Sequence, residues 1–338
     1  MNLKLLLKRG ALLAAANWPT IAIQFVAETT VQVLLAVPLI GAAILVAALL
    51  GGDLADLLRG NLRDMFTAIA GTLMSEPVAL VAFIGAFSVV LLGGSALMFV
   101  VKGGTVDVVL AAESAAGPIE RGPLTYHHIV GQASRFTLDR FLEGCRRLHR
   151  RYVVLGLALM VVYAASGGAY LAFVAYGYRA AAGRLLVIGW IFNTALATFA
   201  LVVWITVVNW WYLLLQIAMA AEDLGVGAAI AAVTRFIRAD LRELAGMFGV
   251  ILAVVVAATL ASALAWSGVG LIAFVPLVGL AVFPLQIAAL LVRGLVFEYI
   301  GLSALAAYAT LYHRYLVERG RAVRREAVPG LNPADGRA

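Results

Sequence analysis

The chain has 338 residues, 64% of them hydrophobic and 13% charged, with a mean hydropathy of +1.00. So much apolar surface cannot be hidden in a water-soluble core of this size, which excludes an ordinary soluble domain and points to a bilayer. The formal charge of +7 and pI near 9.7 suggest nucleic acid, but the basic residues lie between apolar runs and no recognition motif accompanies them, so no nucleic-acid partner is expected.

Taken in chain order, Lys4, Lys8 and Arg9 precede an apolar stretch much as in a signal peptide. That stretch leads through Trp18 and Pro19 into a charge-free run without a clear small-x-small cleavage site, so it is read as retained. The expectation is a short amphipathic helix on the inner membrane surface, then a first span over about 19–50 that opens with Pro19 in its first turn. Such a span is about 48 Å long against a hydrocarbon core of about 30 Å, which puts Glu28 near the inner interface. Leucines and other apolar residues at three- and four-residue spacing predict an amphipathic helix over about 54–73 on the outer leaflet. The second span follows at 77–101 and ends at Lys102.

The segment from Asp107 to Arg151 reads as a long inner loop carrying a surface helix over about 133–151. On that helix Phe136, Phe141, Leu142, Cys145, Leu148 and Tyr152 form an apolar stripe, while Arg135, Arg140, Arg146, Arg147, Arg150 and Arg151 fall largely elsewhere and are candidates for contact with anionic lipid headgroups. Cys145 is the chain's one cysteine, which excludes an internal disulfide, and it reads as a small apolar member of the stripe. Spans three and four are expected at 152–178 and 185–212, with Trp210, Trp211 and Tyr212 marking the inner interface. A helix over 226–243 leads into spans at 244–266 and 271–292, with Trp266 to Gly270 as the turn between them and a kink or unwound segment at Pro276 and Pro284. A last surface helix over 302–316 and a disordered basic tail over 317–338 complete the single membrane domain.

The strongest internal signal is a repeat. The run from Glu222 to Arg238 recurs without a gap from Glu298 to Arg314, matching glutamate, glycine, two alanines, threonine and arginine in register, and a looser copy begins at Glu113 and Gly117. Each copy follows a long apolar run, so the unit reads as a span, a glutamate, a glycine elbow and an amphipathic helix. The fold class is therefore all-α: a polytopic protein of six spans in three related two-helix units. Of the 25 Lys and Arg residues, 21 fall in the two ends and the inner loops, so both termini are expected in the cytoplasm of a bacterial-type inner membrane.

Ionisable residues beside spans are costly and are the first place to look for function. The candidates are Glu28, Glu113, Glu222, Arg293 and Glu298. Helix-length arithmetic puts Arg293 and Glu298 at or below the inner headgroups. At the elbows the structural reading is a carboxylate accepting from the free amides of the next helix; the functional reading is a set of carboxylates converging on the inner mouth of a cavity. Arg293 reads as a topology anchor. No HEXXH, GXGD, GXSXG, P-loop or CXXC is present, and His127, His128, His149 and His313 lie in inner loops, so no catalytic residue, metal site or cofactor is expected.

The paired spans each closed by a glutamate, a glycine and an alanine-rich helix, with Leu311 to Leu316 near the end, resemble uncharacterised bacterial six-span families related to the membrane domain of glycerophosphodiester phosphodiesterases, over roughly residues 15–316. In those enzymes catalysis resides in a separate soluble domain, so the resemblance implies a membrane module without catalytic residues. The function expected is a scaffold or accessory module that binds partner proteins or lipids, especially anionic headgroups. A transporter or lipid-handling protein with a cavity between the units is the alternative, and a membrane-embedded enzyme the third.

Overall fold

A computed structural model describes residues 2–50, 71, 75, 77–181, 187–273 and 278–327. Among these residues there is no strand. The helices are α1 (Leu3–Ala16), α2 (Trp18–Leu50), α3 (Pro77–Ala115), α4 (Tyr126–Ala133), α5 (Leu138–Ala181), α6 (Val187–Ala221), α7 (Val226–Ala273) and α8 (Val278–Ala327), with a 3-10 turn at Ile119–Arg121 between α3 and α4. Six of them, α2, α3 and α5 to α8, are long and apolar enough to cross a membrane, so the protein is an all-helical multi-pass membrane protein.

The long helices exceed what a bilayer needs. The 44 residues of α5 and 50 of α8 correspond to about 66 and 75 Å, against about 40–45 Å for a bilayer with its headgroups. The surplus is not idle. Nearly all of the buried core comes from one end of the bundle, where α1, the last turns of α3 and α6, the first half of α5, the first turns of α7 and the middle of α8 meet. This is the end that carries most of the basic residues. At its centre, Ala306, Ala307, Tyr308, Ala309, Leu311 and Tyr312 of α8 are each at most 1% exposed. In the apolar windows of the six spans, by contrast, no more than 17% of residues are buried, as expected where lipid tails are as apolar as the side chains and give no hydrophobic drive to association.

Two close crossings hold the basic end together, and both need glycine. A Cβ on Gly104 of α3 would lie 2.6 Å from the Phe141 carbonyl oxygen of α5, and one on Gly144 of α5 would lie 2.6 Å from the Asp107 Cβ. A Cβ on Gly10 of α1 would come within 2.5 Å of the Ser303 carbonyl oxygen of α8. Backbones can approach this closely only without side chains between them. The joint between α1 and α2 is fixed by Asn17, fully buried, whose amide nitrogen donates to the carbonyls of Leu13 and Ala133 at 2.9 and 3.0 Å while its Oδ1 accepts from the Arg135 backbone at 2.9 Å.

Several expected elements take a different form. The first helix does not rest on a membrane surface: Leu6, Arg9, Gly10, Leu13, Ala14 and Ala16 are buried in the core. No separate surface helix spans 133–151; residues 138–151 are the start of α5, and Phe141, Cys145, Leu148 and Tyr152 of the apolar stripe are buried there rather than turned to lipid, Phe141 and Cys145 meeting Gly104 of α3. The helix expected over 226–243 is present and ends in a kink at Asp240, where it meets the fifth span; that span continues past Trp266 to Ala273, so the expected turn at 266–270 is helical. α8 is helical on both sides of Pro284, includes 302–316 as its most buried part rather than a surface helix, and extends to Ala327 where a disordered tail was expected from 317. The outer helix over 54–73, Pro276 and the tail beyond 327 lie outside the described residues.

The helix breaks at two copies of the repeat and not at the third. Chain breaks follow Glu113, between α3 and the 3-10 turn, and surround Glu222, between α6 and α7. Glu298 and Gly301 instead lie within α8, so no elbow exists there.

Candidate functional site

The three repeated glutamates have different partners, and among the described residues no helix amide donates to any of them. Glu113 is buried: its Oε2 accepts from Arg9 Nε at 2.8 Å and from the Thr310 hydroxyl at 2.9 Å. The same guanidinium donates through Nη1 to Glu120 Oε2 at 2.9 Å and to the Gly117 carbonyl at 2.8 Å, and through Nη2 to the Ala116 carbonyl at 3.1 Å. Arg9 thus satisfies the open carbonyl end of α3 and bridges two carboxylates, one cation tying α1, α3 and the 3-10 turn together. Burial opposes its charge, but the hydrogen bonds and charges of Glu113 and then Glu120 outweigh that and raise its pKa. Glu222 accepts from the Tyr312 hydroxyl of α8. Beside it Asp223 adopts a left-handed backbone, φ 54°, and its carboxylate is held below the usual range by the hydrogen bond from Arg151 at 2.6 Å. The elbow glutamates are therefore clasps onto α1 and α8 rather than helix caps.

Of the six arginines expected to face lipid headgroups, two form ion pairs among the described residues. Arg147 pairs with Asp107 at 2.6 Å and Arg151 with Asp223, while Arg135 donates to the Ser134 carbonyl. Arg140, Arg146 and Arg150 are exposed, and Arg140 lines a cavity of about 430 Å³ at the basic end together with Glu113, Tyr312 and His313.

Glu28, Arg293 and Glu298 come together in a second place. A groove of about 500 Å³ runs between α2 and α8, walled by Phe25, Glu28 and Thr29 on one side and by Ile287, Leu291, Arg293 and Glu298 on the other. A cavity of about 460 Å³ among α2, α3, α6 and α8 shares Glu28, Phe297 and Glu298 with that groove and adds Gln24, Lys102 and Gln216. The Glu28 and Glu298 carboxyls interact directly, and Lys102 lies within electrostatic reach of both. Among the described residues Lys102 has no ion pair within 4.0 Å and faces the Tyr212 ring at 5.7 Å. Arg293 is likewise without an ion pair among the described residues, its guanidinium 5.7 Å from the Phe297 ring. Gln216 is only 3% exposed. Gln32 donates to Glu28 at 3.2 Å.

Sequence reasoning brought forward Glu28, Arg293 and Glu298 but not the residues that complete their surroundings. Lys102 reads as the end of a span, and Gln216 is one amide in a long uncharged run. Arg9 reads as a topology marker, since nothing local distinguishes a buried arginine from an exposed one. Among the described residues no group of three or more His, Cys, Asp or Glu side chains is placed to hold a metal ion.

Fold and site together define a helical multi-pass membrane protein with a charged cavity at the basic end of its spans. Compared with family models, curated proteins and solved structures, the chain matches none of them.

Proposed function

We propose that this protein is a non-catalytic membrane module of a bacterial-type cytoplasmic membrane, with its basic end in the cytoplasm, and that it binds a membrane lipid. The orientation rests on the 21 of 25 Lys and Arg residues that fall on the basic side. The observation that carries the lipid reading is the groove between α2 and α8. Its wall is apolar and open to the bilayer at Ile287, Leu290 and Leu291, each more than 40% exposed, and becomes charged towards Glu28 and Glu298. A solute site would be closed to lipid by protein; a groove that is apolar at one end and ionic at the other suits an amphiphile entering sideways.

The test is lipid content after purification in mild detergent. Wild-type protein is expected to retain at least one phospholipid per chain through size-exclusion chromatography. Leu291→Trp, which fills the groove from its apolar side, is expected to reduce that severalfold with the unfolding temperature unchanged. Equal lipid content in wild type and variant would contradict the reading.

A further inference from the structure

The order of side chains along the groove carries more than the presence of a lipid. From the bilayer side, α8 presents Ile287, Leu290 and Leu291, then Arg293, then Glu298 facing Glu28 of α2, with Lys102 and Gln216 behind them in the cavity. Ile287 to Glu298 spans about 16 Å of helix, and Arg293 to Glu298 about 7.5 Å. With the basic end in the cytoplasm, a lipid of the inner leaflet lies in this direction: acyl chain against the leucines, phosphate at the level of Arg293, and the outer part of the headgroup at the carboxyl pair.

The charges are matched in the same order. Arg293 has no carboxylate partner among the described residues, so the groove has a cation free for a phosphate, which guanidinium recognises through its planar donor fork. Further in, the Glu28 and Glu298 carboxyls line both the groove and the cavity behind it, where Lys102 is the nearby cation. An ammonium seated between Glu28 and Glu298 has N–H donors for both carboxyls.

We propose that the groove and cavity form one site for a glycerophospholipid with a primary-ammonium headgroup, Arg293 taking the phosphate and the Glu28 and Glu298 pair taking the ammonium. This rests on the lipid reading above and narrows it to a headgroup class. Phosphatidylglycerol lacks the cation; phosphatidylcholine has one without N–H donors. A soluble aminophosphate has the headgroup chemistry but nothing to place against Ile287 and Leu291.

The experiment is native mass spectrometry of delipidated full-length protein. It is offered micelles with equimolar phosphatidylethanolamine, phosphatidylcholine and phosphatidylglycerol of matched chains, with and without millimolar O-phosphoethanolamine. Wild type is expected to retain phosphatidylethanolamine about tenfold over phosphatidylglycerol, and the soluble headgroup is expected not to displace it. The double variant Glu28→Gln, Glu298→Gln should bring that preference to within about twofold, and Arg293→Gln should lower retention of all three lipids about tenfold. Wild-type retention of phosphatidylglycerol or phosphatidylcholine at the level of phosphatidylethanolamine overturns the headgroup assignment and leaves the lipid reading standing. Retention of no phospholipid at all overturns both. Displacement by O-phosphoethanolamine shows a site for a soluble aminophosphate and overturns the lipid assignment. The wild-type comparison requires no variant to fold.

Discussion

Arg9 is the residue on which the basic end depends most. It is 8% exposed and holds two buried carboxylates and the carbonyl end of α3. Removing one partner of a buried ionic cluster leaves uncompensated charge and costs about 3–5 kcal/mol. Arg9→Ala is therefore expected to lower the unfolding temperature sharply in detergent or to abolish monodisperse protein, and Arg9→Lys to rescue little, because an ammonium cannot reproduce the fork. The exposed Arg146→Ala should leave the same thermal melt unchanged. The two clasping glutamates should differ as well: Glu113→Ala strips the Arg9 cluster and Thr310 of their acceptor, whereas Glu222→Ala removes a single tyrosine contact, so the loss of stability should be greater for Glu113. The importance of Glu113 was legible from its place in the repeat, but its role was not. A carboxylate before a glycine reads as a helix cap from local sequence; its actual partners, Arg9 and Thr310, are 104 and 197 positions away, and no spacing rule reaches them.

The helices themselves were largely visible in the sequence, since apolar runs of this length have one plausible structure in a bilayer. What could not be read was where they stop. Helices extend beyond the membrane because their ends pack on one another, and that depends on tertiary contacts. The repeat shows this well. Gly225 and Gly301 occupy equivalent positions, yet the chain breaks only at the first. Glycine permits a break and costs about 1 kcal/mol in a helix; it does not enforce one. At Glu222 the break is held by Asp223 in a left-handed conformation paired with Arg151, whereas α8 after Gly301 is surrounded by the core and gains more by continuing. The glycines that matter most for packing lie outside the repeat. Gly10→Leu and Gly144→Val should each destabilise the protein by about 1–3 kcal/mol or more through overpacking, measured as a fall in the thermal midpoint. Gly167→Ala, where an added Cβ meets nothing, should be neutral in the same assay.

Across the whole molecule, a dense polar-rimmed core at one end carries six spans that bury little against one another. The division has a direct consequence. Deleting residues 2–16 removes Leu6, Arg9 and Leu13 from the centre of the core, so the truncated chain is expected to lose most of its folded yield in detergent; an amphipathic helix merely lying on the membrane could be lost without that effect. The same division places the groove between α2 and α8 at the boundary of the two regions, where lipid-exposed side chains give way to charged ones. The candidate site was half legible for this reason: charges beside apolar runs mark themselves, but which of Glu28, Glu113, Glu222 and Glu298 meet is set by how the ends pack. The most direct measurement is an electron cryomicroscopy map of the protein in nanodiscs containing phosphatidylethanolamine. The account predicts density for one lipid between α2 and α8, with its phosphate at Arg293 and its headgroup ending at Glu28 and Glu298. A map in which α2 and α8 close on each other there, Arg293 paired to a carboxylate and no lipid between them, would contradict it.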